Sequence, residues 1–475
     1  MTDRTAFSET AADLLGPKGW TQDQAVLDPW LTDWRGRYRG AAFGMASPAS
    51  TKECAGLVAL AAQHGVAIVP QGGNSSMSGG ATPDASGDAL LLSLRRMDTI
   101  RTLDPAAGEA VCEAGVILQT LHEAAERERL RFPLTLGGKG SATIGGLIAT
   151  NAGGTQVLRH GTMRAQVLGI EAVLADGQVF DGLTALKKDN RGFDLKQLLI
   201  GSEGTLGIVT AARLRLLPEI AERCVVWAGV DSVHAARELL LHFERGAADL
   251  LEGFEVMPRH SLAAVLDHLP DAQAPLDDDH QWNALIELVA DEHAAPALRE
   301  RTENLLAAAF EAGLVADATI AANETQAEAL WLLRDAIAPA ERELGPAMQH
   351  DISVPVARMP DFIEQSAPQV EAAFPGTRVV AFGHLGDGNV HYHVLAPHGV
   401  EVKAWEAGEA RAISALVHDL VDRAGGSISA EHGIGRIKVG ELERLSDPVR
   451  LAMMRGVKRA LDPAGLLNPG VLLAS

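Results

Sequence analysis

The sequence predicts an α+β protein of two or three domains, and three observations carry that expectation. Its 475 residues exceed one ordinary hydrophobic core. The N-terminal half sets glycine-rich tracts between short apolar, strand-like runs. Beyond Pro218 the texture changes to longer apolar strands, separated by segments whose apolar residues recur near the helical period.

In chain order, Pro48 to Thr51 opens a helix-like segment, Lys52 to His64, that runs into the strand Ala67-Ile68-Val69-Pro70. The loop that follows is Gln71-Gly72-Gly73-Asn74-Ser75-Ser76-Met77-Ser78-Gly79-Gly80. Backbone N–H groups in such a turn can form an anion-binding concavity, and the absent Cβ atoms let a phosphate come close. The loop thus has the character of a pyrophosphate cradle. It is not a Walker loop, because no Lys-Ser/Thr pair follows the glycines, and no GxGxxG opens a helix after a strand.

A second tract, Leu136-Gly137-Gly138-Lys139-Gly140-Ser141-Ala142-Thr143-Ile144-Gly145-Gly146, continues into Ala149-Thr150-Asn151-Ala152-Gly153-Gly154. A third is Ile200-Gly201-Ser202-Glu203-Gly204-Thr205-Leu206-Gly207-Ile208-Val209, and the strand-like Leu168 to Leu174 with its Ala175-Asp176-Gly177 turn lies between them. A lone glycine run is ordinarily a tight turn. Three together imply one extended ligand.

After Pro218 come strands such as Val225 to Val230 and Ala284 to Leu288, and helical segments such as His234 to Arg245 and Ala295 to Ala312. A Pro/Asp-rich linker, Asp271 to Asp279, joins elements of this α+β cap. Val379 to Phe382 reads as a strand entering the turn Gly383-His384-Leu385-Gly386-Asp387-Gly388, and His391 to Val394 as a strand leaving it. Such a hairpin sets His384 and His391 face to face, and Ala430-Glu431-His432-Gly433 can complete a metal site with them. Catalytic Zn²⁺ takes three protein ligands at about 2.0–2.2 Å and keeps a position open. Neighbouring residues of an extended segment point to opposite sides, which makes Glu431 a ligand and His432 a base beside it. The bland alternative is a polar loop with solvated histidines.

Composition narrows the classes. Hydrophobic content of 47% and charged content of 22% are ordinary globular values. The formal net charge of −21 argues against nucleic acid or an anionic membrane as partner. An anionic substrate must then be drawn in by local arginines, since exposed charges beyond about 8 Å are screened. Cys54, Cys112 and Cys224 form no CxxC pair and read as buried thiols of a reducing compartment. With no apolar run of membrane-spanning length and no secretory signal at Met1-Thr2-Asp3-Arg4, a cytoplasmic protein is expected.

With these residues assembled, the chain resembles the FAD-linked D-2-hydroxy acid dehydrogenases of the vanillyl-alcohol oxidase superfamily, closest to the D-2-hydroxyglutarate dehydrogenases. The resemblance covers nearly the whole chain, from Thr32-Asp33-Trp34-Arg35-Gly36-Arg37-Tyr38-Arg39-Gly40 through the three tracts to Gly383–His391, Ser427-Ile428-Ser429-Ala430-Glu431-His432-Gly433 and the tail Leu461-Asp462-Pro463 to Leu467-Asn468-Pro469-Gly470. It implies a two-subdomain FAD-binding module of the PCMH type, a ferredoxin-like substrate cap and a helical C-terminal segment. The expected limits are 1–218 with an N-terminal extension 1–44, then 219–420, then 421–475.

The resemblance further implies roles. Pro70, Gln71, Gly72, Gly73, Asn74, Ser75, Ser76 and Met77 would cradle the pyrophosphate. Gly137, Gly138, Gly140, Ser141, Ile144, Gly145, Gly146, Ala149, Thr150 and Asn151 would contact the flavin and its chain. Glu203, Gly204, Gly207 and Ile208 would close around the cofactor, with Asn468 approaching from the C-terminal end. Relatives with covalent FAD often carry a histidine in the first glycine loop, and Gln71 to Gly80 has none, so non-covalent FAD is expected. His384, His391 and Glu431 are assigned to a divalent metal, Zn²⁺ first with Mn²⁺ as the alternative, and His432 to the general base. Arg334 matches the substrate-carboxylate arginine.

D-2-hydroxyglutarate is the first expected substrate, with lactate, glycolate or malate as alternatives. Three departures put the distal carboxylate in question: Ala338 stands where the family often has threonine, Gln349 where it has lysine, and His393 where it often has asparagine. Gln349 and His393 are nonetheless expected at the substrate. The electron acceptor would be an electron-transfer flavoprotein or a quinone, and relatives are commonly dimers. Two other classes stay open at this point: a metallohydrolase using His384, His391 and Glu431, and a non-catalytic nucleotide-binding module.

Overall fold

A computed structural model describes residues 4–474. Met1, Thr2 and Asp3, which entered the reading of the N-terminus, lie outside the described residues. The chain forms two compact units: residues up to 154, 161–219 and those from 431 onward make the first, and 155–160 with 220–430 the second. The chain from Glu431 onward belongs with the first unit.

In the first unit Leu90–Ser93 pairs in parallel with both Gly44–Ala46 and Ile68–Gln71. The helix Thr51–His64 crosses from Gly44–Ala46 to Ile68–Gln71, the two strands that flank Leu90–Ser93. That helix starts where the Ser50 hydroxyl accepts from the Glu53 amide at 3.2 Å and the Glu53 carboxylate accepts from the Ala49 amide at 2.8 Å. It ends at Gly65, whose φ of +64° closes a left-handed cap. Its buried face, Cys54, Leu57, Val58 and Ala61, packs with Ile68, Leu90, Leu92 and Leu467 of the tail. Among the described residues a second sheet of this unit is five-stranded and antiparallel, in the order Ile100–Asp104, Glu109–Glu113, Ile208–Arg215, Val167–Val173, Val179–Gly182.

The second unit is built, among its described residues, on a seven-stranded antiparallel sheet. Its order is Asp317–Ile320, Glu222–Val230, Trp282–Ala290, Leu251–Pro258, Arg378–His384, Asn389–Leu395, Ala347–Ser353. Alternation along each strand decides its two faces. Val226, Phe254, Ile286, Ala381, Tyr392 and Ile352 point into one core, covered by the helices Val233–Ala247, Ala295–Glu311, Met359–Ala373 and Ala410–Arg423. Burial of a Leu or Phe such as Leu239, Leu240 or Phe243 there stabilises by roughly 1.5–3 kcal/mol each. Residues of the other parity, Trp227, Leu285, Val380 and Phe382, meet the helices Arg259–His268, Glu324–Asp335 and Ile337–Leu344. On that second face the apolar alternation breaks into polar residues at Glu255, His384, His391 and His393.

Candidate active site

In the first unit the three glycine tracts pack backbone against backbone. A Cβ on Gly73 would lie 1.6 Å from the Ser141 carbonyl oxygen, and one on Gly72 2.2 Å from the Thr143 hydroxyl. The loop base is held by Gln71, whose amide donates to the Trp30 and Ala81 carbonyls at 3.0 and 2.9 Å. The second tract becomes the helix Ile144–Thr150, capped by Thr143 and ended by Asn151 at φ 50°. The third meets it where the Glu203 amide donates to the Ala149 carbonyl at 2.8 Å. Asn468 ties the tail in, donating to the carbonyls of Gly80 at 2.8 Å and Glu203 at 2.7 Å.

Parts of the three tracts and Asn468 are therefore brought together by atoms in contact. Two buried acceptors among them, Gln71 Oε1 and Asn468 Oδ1, have no hydrogen-bond partner among the described residues. A cradle closed to side chains by glycine, with unused acceptors at its base and tail, fits a large polar cofactor such as FAD. Glu203 is buried, and burial pushes its carboxyl up to about 7 despite the Ile434 and Gly435 amides, each donating to it at 2.8 Å. Those amides follow Glu431, His432 and Gly433, and the Gly433 carbonyl accepts from the Ser78 hydroxyl at 3.2 Å. His432 is thus part of a segment fastened to the first and third tracts.

In the second unit the hairpin register pairs His384 with Asn389 and His391 with Phe382. The two histidines are diagonal neighbours rather than directly opposed, because the turn Leu385–Gly388 takes four residues. They share one face, with ring centroids 5.2 Å apart. His384 Nδ1 bonds to Glu255 Oε1, and Arg334 Nε donates to Glu255 Oε2 at 2.8 Å. Arg334 Nη2 also donates to His391 Nε2 at 3.3 Å, so the guanidinium bridges Glu255 and His391.

Burial would raise the Glu255 carboxyl, but Arg334 and His384 hold it well below the usual carboxylate range. Burial, with the charges of His384 and Arg334, drives His391 well below its ordinary value, which keeps the ring neutral. A neutral imidazole is the form that binds metal. His393, two residues on, bonds through Nδ1 to the buried Glu341 and packs edge-on against Phe382. Gln349 lies opposite His393 in the ladder, and Asp351 opposite His391.

The segment Ser427 to Ala430 runs beside Ser353 and Asp351: Ser427 and Ser353 exchange backbone bonds of 2.7 and 3.0 Å, and the Ala430 amide donates to the Asp351 carbonyl at 3.3 Å. Glu431 and His432 come next, in a bend and not in a strand. The opposite-sides argument for them therefore does not hold, since alternation needs extended pairing and Gly433, at φ +75°, turns the chain.

Sequence reasoning missed Glu255, Glu341 and Asp351. A signal for the first was present: one carboxylate inside the otherwise apolar Gly253-Phe254-Glu255-Val256-Met257 must have a partner if that strand is buried. Glu341 is silent in sequence, being one of several charged residues in Glu341-Arg342-Glu343.

A glycine-closed nucleotide cradle and a buried imidazole–carboxylate face define a flavin-dependent oxidoreductase. Residues 44–182 match the FAD binding domain family, and residues 220–472 match the C-terminal domain of FAD linked oxidases. The chain belongs to this family of FAD-linked oxidases. It is 36% identical over 450 residues, 95% of this chain and 93% of the relative, to D-2-hydroxyglutarate dehydrogenase of Xanthomonas citri pv. viticola. It is 35% identical over 457 residues, 96% of this chain and 79% of the relative, to mitochondrial D-2-hydroxyglutarate dehydrogenase of Arabidopsis thaliana. Among solved structures, p-cresol methylhydroxylase with substrate bound shares the fold at a TM-score of 0.74 and 14% identity, covering 99% of this chain and 97% of that one. No helix among the described residues is long and apolar enough to cross a membrane.

Proposed function

We propose that this chain oxidises a D-2-hydroxy acid to the 2-oxo acid with non-covalent FAD and a divalent metal, Zn²⁺ in the first instance, held by His384, His391 and Glu431. The observation that carries the reading is the His384–Glu255 pair beside His391, the two rings 5.2 Å apart on one face. A carboxylate on the far nitrogen of an imidazole fixes its tautomer and raises its basicity toward a metal. Gln71, Asn468 and the backbone of the three glycine tracts would hold the cofactor.

FAD, when bound, supplies a hydride acceptor at N5 of its ring. The metal, when bound, supplies charge that lowers the pKa of a coordinated hydroxyl. His432 takes the proton of the C2 hydroxyl at an imidazole nitrogen, the commonest side-chain base for such a transfer. Arg334 receives the C1 carboxylate with the part of its planar fork not turned to Glu255 or His391. The reduced enzyme passes its electrons to an electron-transfer flavoprotein or a quinone.

The test is anaerobic. D-2-hydroxyglutarate, D-lactate, D-malate and glycolate are mixed in turn with the purified protein while the flavin absorbance is followed, with a chelator-treated sample alongside. At least one acid should bleach the flavin, chelation should slow it at least tenfold, and His432→Ala should stay yellow but reduce slowly. Equal rates with the metal removed would refute the role of His384, His391 and Glu431.

A further inference from the structure

We propose that Glu341, His393 and Gln349 form the subsite for the far end of the substrate, and that it selects a 2-hydroxy acid whose tail ends in an uncharged hydrogen-bonding group, such as a hydroxyl, over one ending in a second carboxylate. The inference rests on the 2-hydroxy acid reading and narrows it.

Position comes first. His393 lies on the same face as His391 and about 7 Å further along the strand, within reach of a short carbon tail anchored near His391. Gln349 sits opposite it. Glu341 comes from the helix Ile337–Leu344, where Ala338, one turn earlier, offers no polar atom beyond its backbone.

Charge decides what this subsite can receive. Glu341 is 2% exposed, its Oε2 bonds to His393, and its Oε1 has no hydrogen-bond partner among the described residues. Gln349 adds no charge, Arg334 is tied to Glu255, and Lys403 is the only lysine between residues 220 and 430.

A second carboxylate arriving there would lose its water against the Glu341 carboxylate, to which His393 is the only basic group bonded among the described residues. A hydroxyl could donate to Glu341 Oε1 and accept from the Gln349 amide. A buried carboxylate oxygen left without a donor is itself costly, which is why a donor from the ligand would bind tightly there.

The experiment compares kcat/KM for D-2,5-dihydroxypentanoate and D-2-hydroxyglutarate, which share a five-carbon chain, with D-lactate as the tail-less control. Wild type should favour the dihydroxy acid at least tenfold. Glu341→Gln should narrow that ratio, and Glu341→Gln with Gln349→Lys should shift it at least tenfold toward D-2-hydroxyglutarate, both variants keeping the flavin spectrum of wild type. If D-lactate is oxidised but D-2-hydroxyglutarate is used as well as the dihydroxy acid, or if the ratio stays within twofold in both variants, the subsite is wrong and the 2-hydroxy acid reading stands. If none of the three bleaches the flavin, the reading itself fails and takes this inference with it.

Discussion

Replacing Glu255 by glutamine keeps the shape of the site and removes one charge, so it asks what that carboxylate holds in place. Its two oxygens now accept from two donors, Arg334 Nε at 2.8 Å and His384 Nδ1. An amide offers one oxygen and one NH₂, and one of the two neighbours must face a donor. In either orientation a guanidinium with 13% of its side chain exposed is left without its buried counter-charge. Removing one member of a buried pair costs about 3–5 kcal/mol, a large share of the roughly 5–15 kcal/mol that holds a domain folded. If His384 loses, it must take the other tautomer, with the proton on Nε2, where it cannot bind a metal. Loss of such an outer partner typically weakens metal affinity about 10–100-fold. Urea unfolding read by tryptophan fluorescence, which reports on Trp227 and Trp331 of the same unit, and zinc titration against a competing chelator separate the two outcomes. A variant that unfolds within about 1 kcal/mol of wild type and binds zinc equally well would show that Glu255 neither neutralises Arg334 nor orients His384.

Three further outcomes are expected. Gly73→Ala should abolish flavin retention, since its Cβ would fall 1.6 Å from a backbone oxygen, whereas Gly137→Ala, with no atom within 4 Å, should be tolerated; equal flavin content in the two purified proteins would contradict the packing. Glu203 titrates at about 7 when folded against an ordinary 4.5, so the folded state binds the extra proton, and its contribution of about 3 kcal/mol is present at low pH and lost as the pH rises through that window. Urea midpoints at pH 5 and pH 8 should therefore diverge less in Glu203→Gln than in wild type. Asn468→Gly relieves a left-handed backbone but strips the buried Gly80 and Glu203 carbonyls of their donor, and should destabilise by about 2–4 kcal/mol with looser flavin; a more stable variant would mean that strain outweighs those bonds.

The elements with a strong local signal were legible. The helix running to His64 was legible from its opening at Pro48 to Thr51, and the hairpin holding His384 and His391 from an apolar run that enters a glycine turn and a strand-like run that leaves it. The glycine tracts were legible as a group because each needs a neighbour without a side chain, and the contact of Gly73 with Ser141 shows which neighbour. Partners that sit far off in sequence were not legible. Glu255 reaches His384 across 129 residues and Glu341 reaches His393 across 52, and neither spacing follows from a local period. The bend at Glu431 and His432 was misread for a related reason: a lone bridge at Ser427 ends the pairing, and no residue type marks where a ladder stops.

The cradle also shows why glycine alone does not make such a site. Four of the six non-glycine residues with left-handed φ among the described residues are expected cofactor contacts: Asn74 at 54°, Asn151 and Glu203 at 50°, and Asn468 at 45°. Glycine would remove a strain of order 1 kcal/mol at each. It would also delete the bonds their side chains make, from Asn74 to the Thr32 carbonyl at 2.9 Å, from the Thr162 hydroxyl and Arg164 amide to Asn151 at 2.9 and 3.0 Å, and those of Glu203 and Asn468 already described. At about 0.5–1.5 kcal/mol per bond the two effects nearly cancel in stability at Asn74 and Asn151, whereas at Glu203 and Asn468 the buried partners left behind make the lost bonds outweigh the strain. What does not cancel is position, because a strained residue held by its own side chain has one place to sit, whereas a glycine there has many. On the proposed reading the glycines leave the room that the cofactor needs, and these four residues fix its walls.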